Sequence, residues 1–170
     1  MTQPKTNLDH IQDKIFKQEM LVRQLLIWRF YGKKIVFTNG CFDLLHKGHV
    51  HYLAQARDLG DVLVIGLNSD DSVRMLGKGA SRPLQDESAR ALILASLRVV
   101  DAVVPFSTAT PADLIEMVQP DVLVKGGDYK DLTQIVGYDT VMRKGGVVTT
   151  IPFIDGYSTS AIENKIKAGN

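Results

Sequence analysis

The chain has 170 residues, 45% of them hydrophobic and 23% charged, and a formal net charge of +1. That balance suits one globular domain able to bury its own core; it excludes a disordered chain, and no global field marks a binder of nucleic acid or membrane. The single cysteine, Cys41, excludes an intrachain disulfide, and the four histidines lack the spacing to it that a zinc finger needs.

Residues 1–8 read as a disordered lead-in. Met1 to His10 lacks the apolar core of a signal peptide, and no apolar run approaches the roughly 18–20 residues that span a bilayer, so a cytoplasmic protein is expected. From Asp9 to about Phe30, Ile11, Ile15, Leu21, Leu25 and Trp28 recur near helical spacing, which predicts one added N-terminal helix. Its stripe packs on its own domain or on a second subunit, and a homo-oligomer, dimer or higher, is the expectation. Ile35-Val36-Phe37 reads as a buried strand, followed by a helix from about Gly48 to Leu59 that ends at Gly60. Val62 to Leu67 is a continuous apolar run, as a strand covered on both faces requires. A helix over 86–97 with Asp86 as N-cap, a strand at 102–104, and a helix begun by a Thr110 cap with Pro111 at its first position come next. A strand at 122–124, a helix around 135–143, a strand at 147–151 and a closing helix over 158–167 complete the pattern.

Strands alternating with helices imply βαβ units and a parallel sheet. The predicted fold is α/β: a Rossmann-like three-layer sandwich with about five parallel strands. Residues 1–30 form an N-terminal extension and 31–170 the main domain. Ligands of such folds sit at the carboxyl ends of the strands, so loops 38–47, 68–85, 105–110, 125–131 and 152–159 are the candidate sites. The stretch from Gly77 to Pro83 reads as mobile by composition.

The first candidate follows the first strand. Asn39, Gly40, Cys41, Phe42 and Asp43 lead into His46-Lys47-Gly48-His49. Gly40 permits close approach of backbone to a ligand, and His46 and His49, three apart at a helix start, share one face. Free N–H groups of a helix start bind anions, and such donors suit phosphoryl or nucleotidyl transfer. A structural histidine or a metal-binding pair is the competing reading. A second candidate is Tyr157-Ser158-Thr159-Ser160, where hydroxyls at a helix start hold phosphate, or where Ser160 with Glu163 forms a capping box. A third is Lys125-Gly126-Gly127-Asp128-Tyr129, a lysine beside two glycines; an ordinary glycine-rich turn is its alternative. A fourth combines Asn68-Ser69-Asp70 with the basic run from Gly77 to Pro83, either a cap and a solvated loop or a lid bringing Lys78 or Arg82 over phosphates. The chain contains no G-x-x-x-x-G-K-[ST], no G-x-G-x-x-G after the first strand and no G-x-S-x-G, which disfavours a P-loop kinase, a dinucleotide-binding dehydrogenase and an α/β-hydrolase.

His46-Lys47-Gly48-His49 resembles the HxGH signature of the nucleotidyltransferase superfamily that includes the cytidylyltransferases. Tyr157 to Glu163 is similar to its second signature, I-S-S-T-x-I-R, and Arg98-Val99-Val100-Asp101 to its R-[YV]-V-D stretch. The longer string Asn39 to His49, with Lys125 to Tyr129, resembles the nucleotidyltransferase domains of ADP-heptose synthases, and the likeness covers about residues 33–167. It implies transfer of AMP from ATP to D-glycero-β-D-manno-heptose 1-phosphate, for lipopolysaccharide inner core. Catalysis falls to His46, His49 and Lys125. The nucleotide falls to Asn39, Gly40, Cys41, Phe42, Gly48, Gly126, Asp128, Ser158, Thr159 and Ser160 beside the catalytic three. The sugar phosphate falls to Asp43, Asn68, Lys78, Arg82, Arg98 and Tyr129. Glu163 departs from the signature's arginine, so another cation must serve the departing pyrophosphate; Lys125, Arg82 and Lys78 are the candidates in that order. Mg²⁺ is expected on the ATP phosphates with no protein ligand. Few residues precede the first strand, so the sugar kinase found beside this domain in many relatives is expected on another chain. A CTP-dependent enzyme acting on glycerol 3-phosphate, or a non-catalytic nucleotide-binding protein, are the alternatives.

Overall fold

The computed structural model describes residues 4–77 and 82–169. Five strands, β1 (Ile35–Gly40), β2 (Val62–Asn68), β3 (Ala102–Phe106), β4 (Val122–Gly126) and β5 (Val147–Ile151), form one parallel sheet in the order β3-β2-β1-β4-β5. The chain runs outward from β1 to β3, then returns to β4 on the other side of β1. The order therefore reverses between β1 and β4, the position where α/β sheets open a crevice at their carboxyl ends.

Alternate residues of each strand enter two separate cores, as a sheet covered on both faces demands. Ile35 and Phe37 of β1, with Val64 of β2, pack under α2 (Gln18–Phe30), α6 (Ala112–Val118) and α7 (Tyr138–Arg143). Val36, Leu63 and Ile65 pack under α3 (Lys47–Arg57) and α5 (Glu87–Ser96). Asp86 caps α5 by accepting from the Ala89 N–H at 2.9 Å, as its sequence predicts.

The N-terminal segment departs from the single helix expected. It forms α1 (Asn7–Gln12), capped by Thr6 inside the stretch read as a lead-in, and then α2. Between them Ile15 bridges Val103 of the edge strand: Phe16 N–H donates to the Val103 carbonyl at 2.9 Å, and Val103 N–H to the Lys14 carbonyl at 2.8 Å. Ile11 and Ile15 serve one core, Leu21 and Leu25 the other, so the chain must cross the sheet edge and no straight helix can do both. The crossing also satisfies the outward-facing N–H and carbonyl of Val103 on that edge.

Three other expectations are corrected. The helix after β3 starts one residue late: Pro111 stands at the cap position without a side-chain bond, because the Thr108 hydroxyl closes a turn on the Thr110 carbonyl. The helix around 135–143 splits into a 3-10 turn at Leu132–Gln134 and α7, because Gly137 sits at φ +91° in contact with Ile115, where a Cβ would come within 2.7 Å. Residues after β2 form a short helix, α4 (Asp70–Met75), capped by Ser69.

Arg90 of α5 is 1% exposed and fastens the strand ends. Its guanidinium donates to the carbonyls of Cys41 after β1 and Asn68 of β2, both at 2.7 Å, to the Gln85 carbonyl at 3.0 Å, and to Asp70 at 2.6 Å. Removing it strands three carbonyls and a carboxylate, so Arg90→Met is expected to cost at least ~3 kcal/mol. A urea midpoint unchanged from wild type would contradict that role.

Candidate active site

The site is assembled where β1 and β4 end. His46 is the N-cap of α3, its Nδ1 accepting from the His49 N–H at 3.4 Å. The two imidazoles stack, centroids 3.8 Å apart and planes 22° from parallel, with Phe42 against His49 at 5.2 Å. Gly48 leaves the space between them open: a Cβ there would lie 3.1 Å from the His46 ring and 3.3 Å from Tyr157 Cβ, a tight contact. Burial and then the neighbouring His46 push His49 down to about 4, a Leu44 backbone contact opposing weakly; burial also lowers His46. Both rings are therefore neutral near pH 7, each offering one N–H donor. No hydrogen bond of proper geometry reaches His49 Nδ1, which is buried.

Lys125, near the end of β4, donates to Asn39 Oδ1 of β1 across the reversal point. Burial pushes its ammonium down to about 8. Below them Tyr52 of α3 shares a 2.6 Å hydrogen bond with the Thr38 hydroxyl and donates to the Val124 carbonyl at 3.2 Å, tying α3 to both strands.

Arg82 closes one side. Its guanidinium donates to Asp43 at 2.8 Å and to Glu163 at 2.7 Å, with 11% of the side chain exposed. Burial alone would raise the Asp43 carboxyl, but Arg82 and the Gln85 and Leu84 N–H groups outweigh it and hold it below its ordinary value. Glu163 also accepts from Lys167 at 2.7 Å, the leading cause of its own lowered pKa. Glu163 thus occupies the signature's arginine position and holds another arginine there.

These groups line one cavity of about 530 Å³, which brings together Asn39, Cys41, His49, Lys125 and Arg82, with Thr159 and Ser160 at its rim. Gly40, Phe42, Asp43, Gly126 and Tyr129 also border it. A second cavity, about 410 Å³, takes His46, Gly48 and Ser158. A third, about 380 Å³, takes Asn68 and again Tyr129. The capping box expected from Ser160 and Glu163 does not form. Ser158 caps α8 (Thr159–Lys167), accepting from Ala161 N–H at 3.0 Å, because Glu163 is committed to Arg82. Asp128 is exposed and borders none of these three cavities. Arg98 does not join the site: it is exposed in the turn leading into the amino end of β3, at the opposite edge of the parallel sheet. Lys78 lies outside the described residues, as do 79–81 of the glycine-rich run.

Sequence reasoning missed Arg90, Tyr52 and Phe153. Phe153, 68% exposed, lies over Gly126 and Gly127 and borders the first two cavities. A Cβ on Gly126 would come within 2.5 Å of its ring. Among the described residues no group of three His, Cys, Asp or Glu could hold a metal ion, and no helix is long and apolar enough to cross a membrane.

Fold and site together define a Rossmann-like α/β domain with paired neutral histidines at its first strand end. Residues 37–165 match the family model for cytidylyltransferase-like proteins, and the chain belongs to that family. It is 54% identical over 153 residues to the bifunctional protein HldE of Citrifermentans bemidjiense, covering 90% of this chain and 31% of that one. It is 60% identical over 135 residues to the HldE of Geobacter metallireducens, covering 79% and 27%. The chain thus spans under a third of the length of these curated relatives. A crystal structure of the lipopolysaccharide core biosynthesis protein from Thermoplasma volcanium superposes with a TM-score of 0.61 at 30% identity, covering 75% of this chain and all of that one.

Proposed function

We propose that the chain is an adenylyltransferase, passing AMP from ATP to D-glycero-β-D-manno-heptose 1-phosphate and releasing pyrophosphate. The observation that carries this reading is the stacked His46–His49 pair beside Lys125 at the reversal point of the sheet. The heptose acceptor is supported by the likeness of Lys125 to Tyr129 to ADP-heptose synthases and by the HldE relatives. The kinase that supplies the acceptor is a separate catalytic unit. A cytoplasmic location goes with ATP as donor, and a homo-oligomer goes with the exposed Leu26, Ile27 and Phe30 on the outer face of α2.

In the reaction, an acceptor phosphate oxygen attacks the α-phosphorus of ATP in line; the new P–O bond forms as the bond to the β-phosphate oxygen breaks. The acceptor phosphate is largely ionised at neutral pH, so no general base is needed. His46 and His49 donate N–H to α-phosphate oxygens as charge grows there. Lys125, kept basic enough to be charged near pH 7, holds the phosphates in register. Arg82, placed by Asp43 and Glu163, faces the departing pyrophosphate. Mg²⁺ bound to the ATP phosphates would neutralise part of their charge; Asp43 and Glu163 are engaged by Arg82.

Pyrophosphate release with Mg²⁺, crossing ATP and CTP against heptose 1-phosphate and glycerol 3-phosphate, tests the reading. Release only with ATP and the heptose is expected; release only with CTP would overturn the substrates, and none at all the activity. No covalent intermediate is required, so Cys41→Ala is expected to retain activity within a few-fold of wild type. Complete loss in a well-folded Cys41→Ala protein would reopen a covalent route.

A further inference from the structure

A further recess, of about 540 Å³, lies at the other end of the sheet from the candidate active site. It is lined by Arg29 in the last turn of α2, Lys33 and Lys34 before β1, Asp121 before β4, and Lys144 between α7 and β5. These segments enter β1, β4 and β5 at their amino ends. In a parallel sheet that sets the recess a strand length, roughly 17–20 Å, from the carboxyl ends that carry the histidines and Lys125. Its charge is unbalanced: four cations line it with one carboxylate, a local formal charge of +3 in a chain whose net charge is +1. None of the four forms an ion pair among the described residues, whereas Arg57, Arg82 and Arg90 each hold a carboxylate at 3.0 Å or less. Asp121 serves the backbone, accepting from the Ile35 N–H at 2.7 Å. Burial and then the Arg29 charge push the Lys144 ammonium down, with Asp121 opposing. Like charges held together cost free energy that a bound anion would release.

The cations are also placed for a ligand. Arg29 is held by donating from Nη2 to the Val118 and Gln119 carbonyls, and Lys144 by donating to the Gln119 carbonyl at 2.9 Å. Both groups keep further donors beyond those bonds. Serving the carbonyl end of α6 accounts for Arg29 and Lys144 but gives Lys33 and Lys34 no task, and these two have no side-chain hydrogen bond among the described residues. A Cβ on Gly32 or Gly145, both in the lining, would meet nothing within 4 Å, so the backbone there is open to close approach. The volume suits a molecule of nucleotide size, and a flat surface could not enter it.

We infer that this recess binds a small anion carrying two or more phosphate groups, at a site separate from the transfer centre. More than one phosphate is needed to engage cations that enter from α2, the approach to β1 and the approach to β5 together. Binding here does not depend on the nucleotidyl-transfer reading. Inorganic pyrophosphate is the probe, titrated at constant ionic strength into isotope-labelled protein and followed by the NMR shifts of backbone amides. Saturable movement of the Gly32, Lys33, Gly145 and Gly146 signals is expected, with half-saturation below ~1 mM. Pyrophosphate entering the transfer site moves the Gly40 and His49 signals, so the two sites are read separately. Lys33→Gln/Lys144→Gln alters two exposed side chains outside the transfer site. Half-saturation at the recess is expected to rise at least ~tenfold in it, with Gly40 and His49 responding as in wild type. No movement at the recess signals up to ~10 mM pyrophosphate, or the same half-saturation there in the double variant, would overturn the site.

Discussion

His46→Ala and His49→Ala will each lower turnover by at least ~10², the cost of removing one preorganised donor to charge developing on a transferring group. Both rings are neutral near pH 7, because burial disfavours their charged forms and His46 adds to this at His49. Their contribution is thus N–H donation, realised most strongly as the α-phosphate oxygens gain charge, so turnover should fall more than affinity for ATP. His46 also caps α3, and losing a cap costs about 0.5–2 kcal/mol. His46→Asn, which keeps a capping group but not the imidazole, separates the two roles: it should fold like wild type and remain slow. The pair also sets a pH limit on stability. His49 is held at about 4 in the folded chain against an ordinary 6.5, so the unfolded chain binds more protons between these values. Stability from this group is complete above about 6.5 and is lost as pH falls toward 4. Turnover near wild type in both alanine variants would remove the histidines from the mechanism.

Lys125→Met is expected to lower kcat/KM for ATP by ~10² or more and to lack the alkaline limb near pH 8 expected of the wild type. The lysine is poised there because burial, rather than a like charge, lowers its pKa. Above about 8 the free enzyme loses the ammonium, so kcat/KM falls as pH rises. Bound phosphates favour the charged form, so the limb in kcat lies at higher pH. Lys125→Arg stays charged throughout and should retain part of the activity with no limb near 8. A wild-type profile of kcat/KM that stays flat from about pH 7 to about pH 9.5 would show that this ammonium is not needed.

Much of this was legible in the chain. Val62 to Leu67 reads as a strand covered on both faces, and every residue of β2 is buried. That the histidine pair and Lys125 stand at the ends of β1 and β4, where α/β sheets bind ligands, was legible; their roles come from the resemblance of His46 to His49 and of Lys125 to Tyr129. The N-terminal helices were not legible, since helical periodicity says which residues are buried and not on which side of a sheet. Arg90 was hidden for a related reason: an arginine in an amphipathic helix reads as its solvent face, and only tertiary contact shows three carbonyls and a carboxylate waiting for it. The Asp43–Arg82–Glu163 bridge joins positions 39 and 81 residues apart, beyond any local pattern. Glu163, at the signature's arginine position, places the Arg82 guanidinium beside it instead. Phe153 lacks a motif altogether; its place is set by two glycines from another strand end.

The most direct test is identification of products by mass spectrometry and phosphorus NMR after mixing ATP, Mg²⁺ and heptose 1-phosphate with wild type and with the His46→Ala/His49→Ala double variant. ADP-heptose and pyrophosphate in equal amounts from the wild type, and neither from a folded double variant over the same period, is the expected result. Absence of ADP-heptose from the wild-type reaction, or its formation at the wild-type rate by the double variant, would contradict the assignment of nucleotidyl transfer to this site.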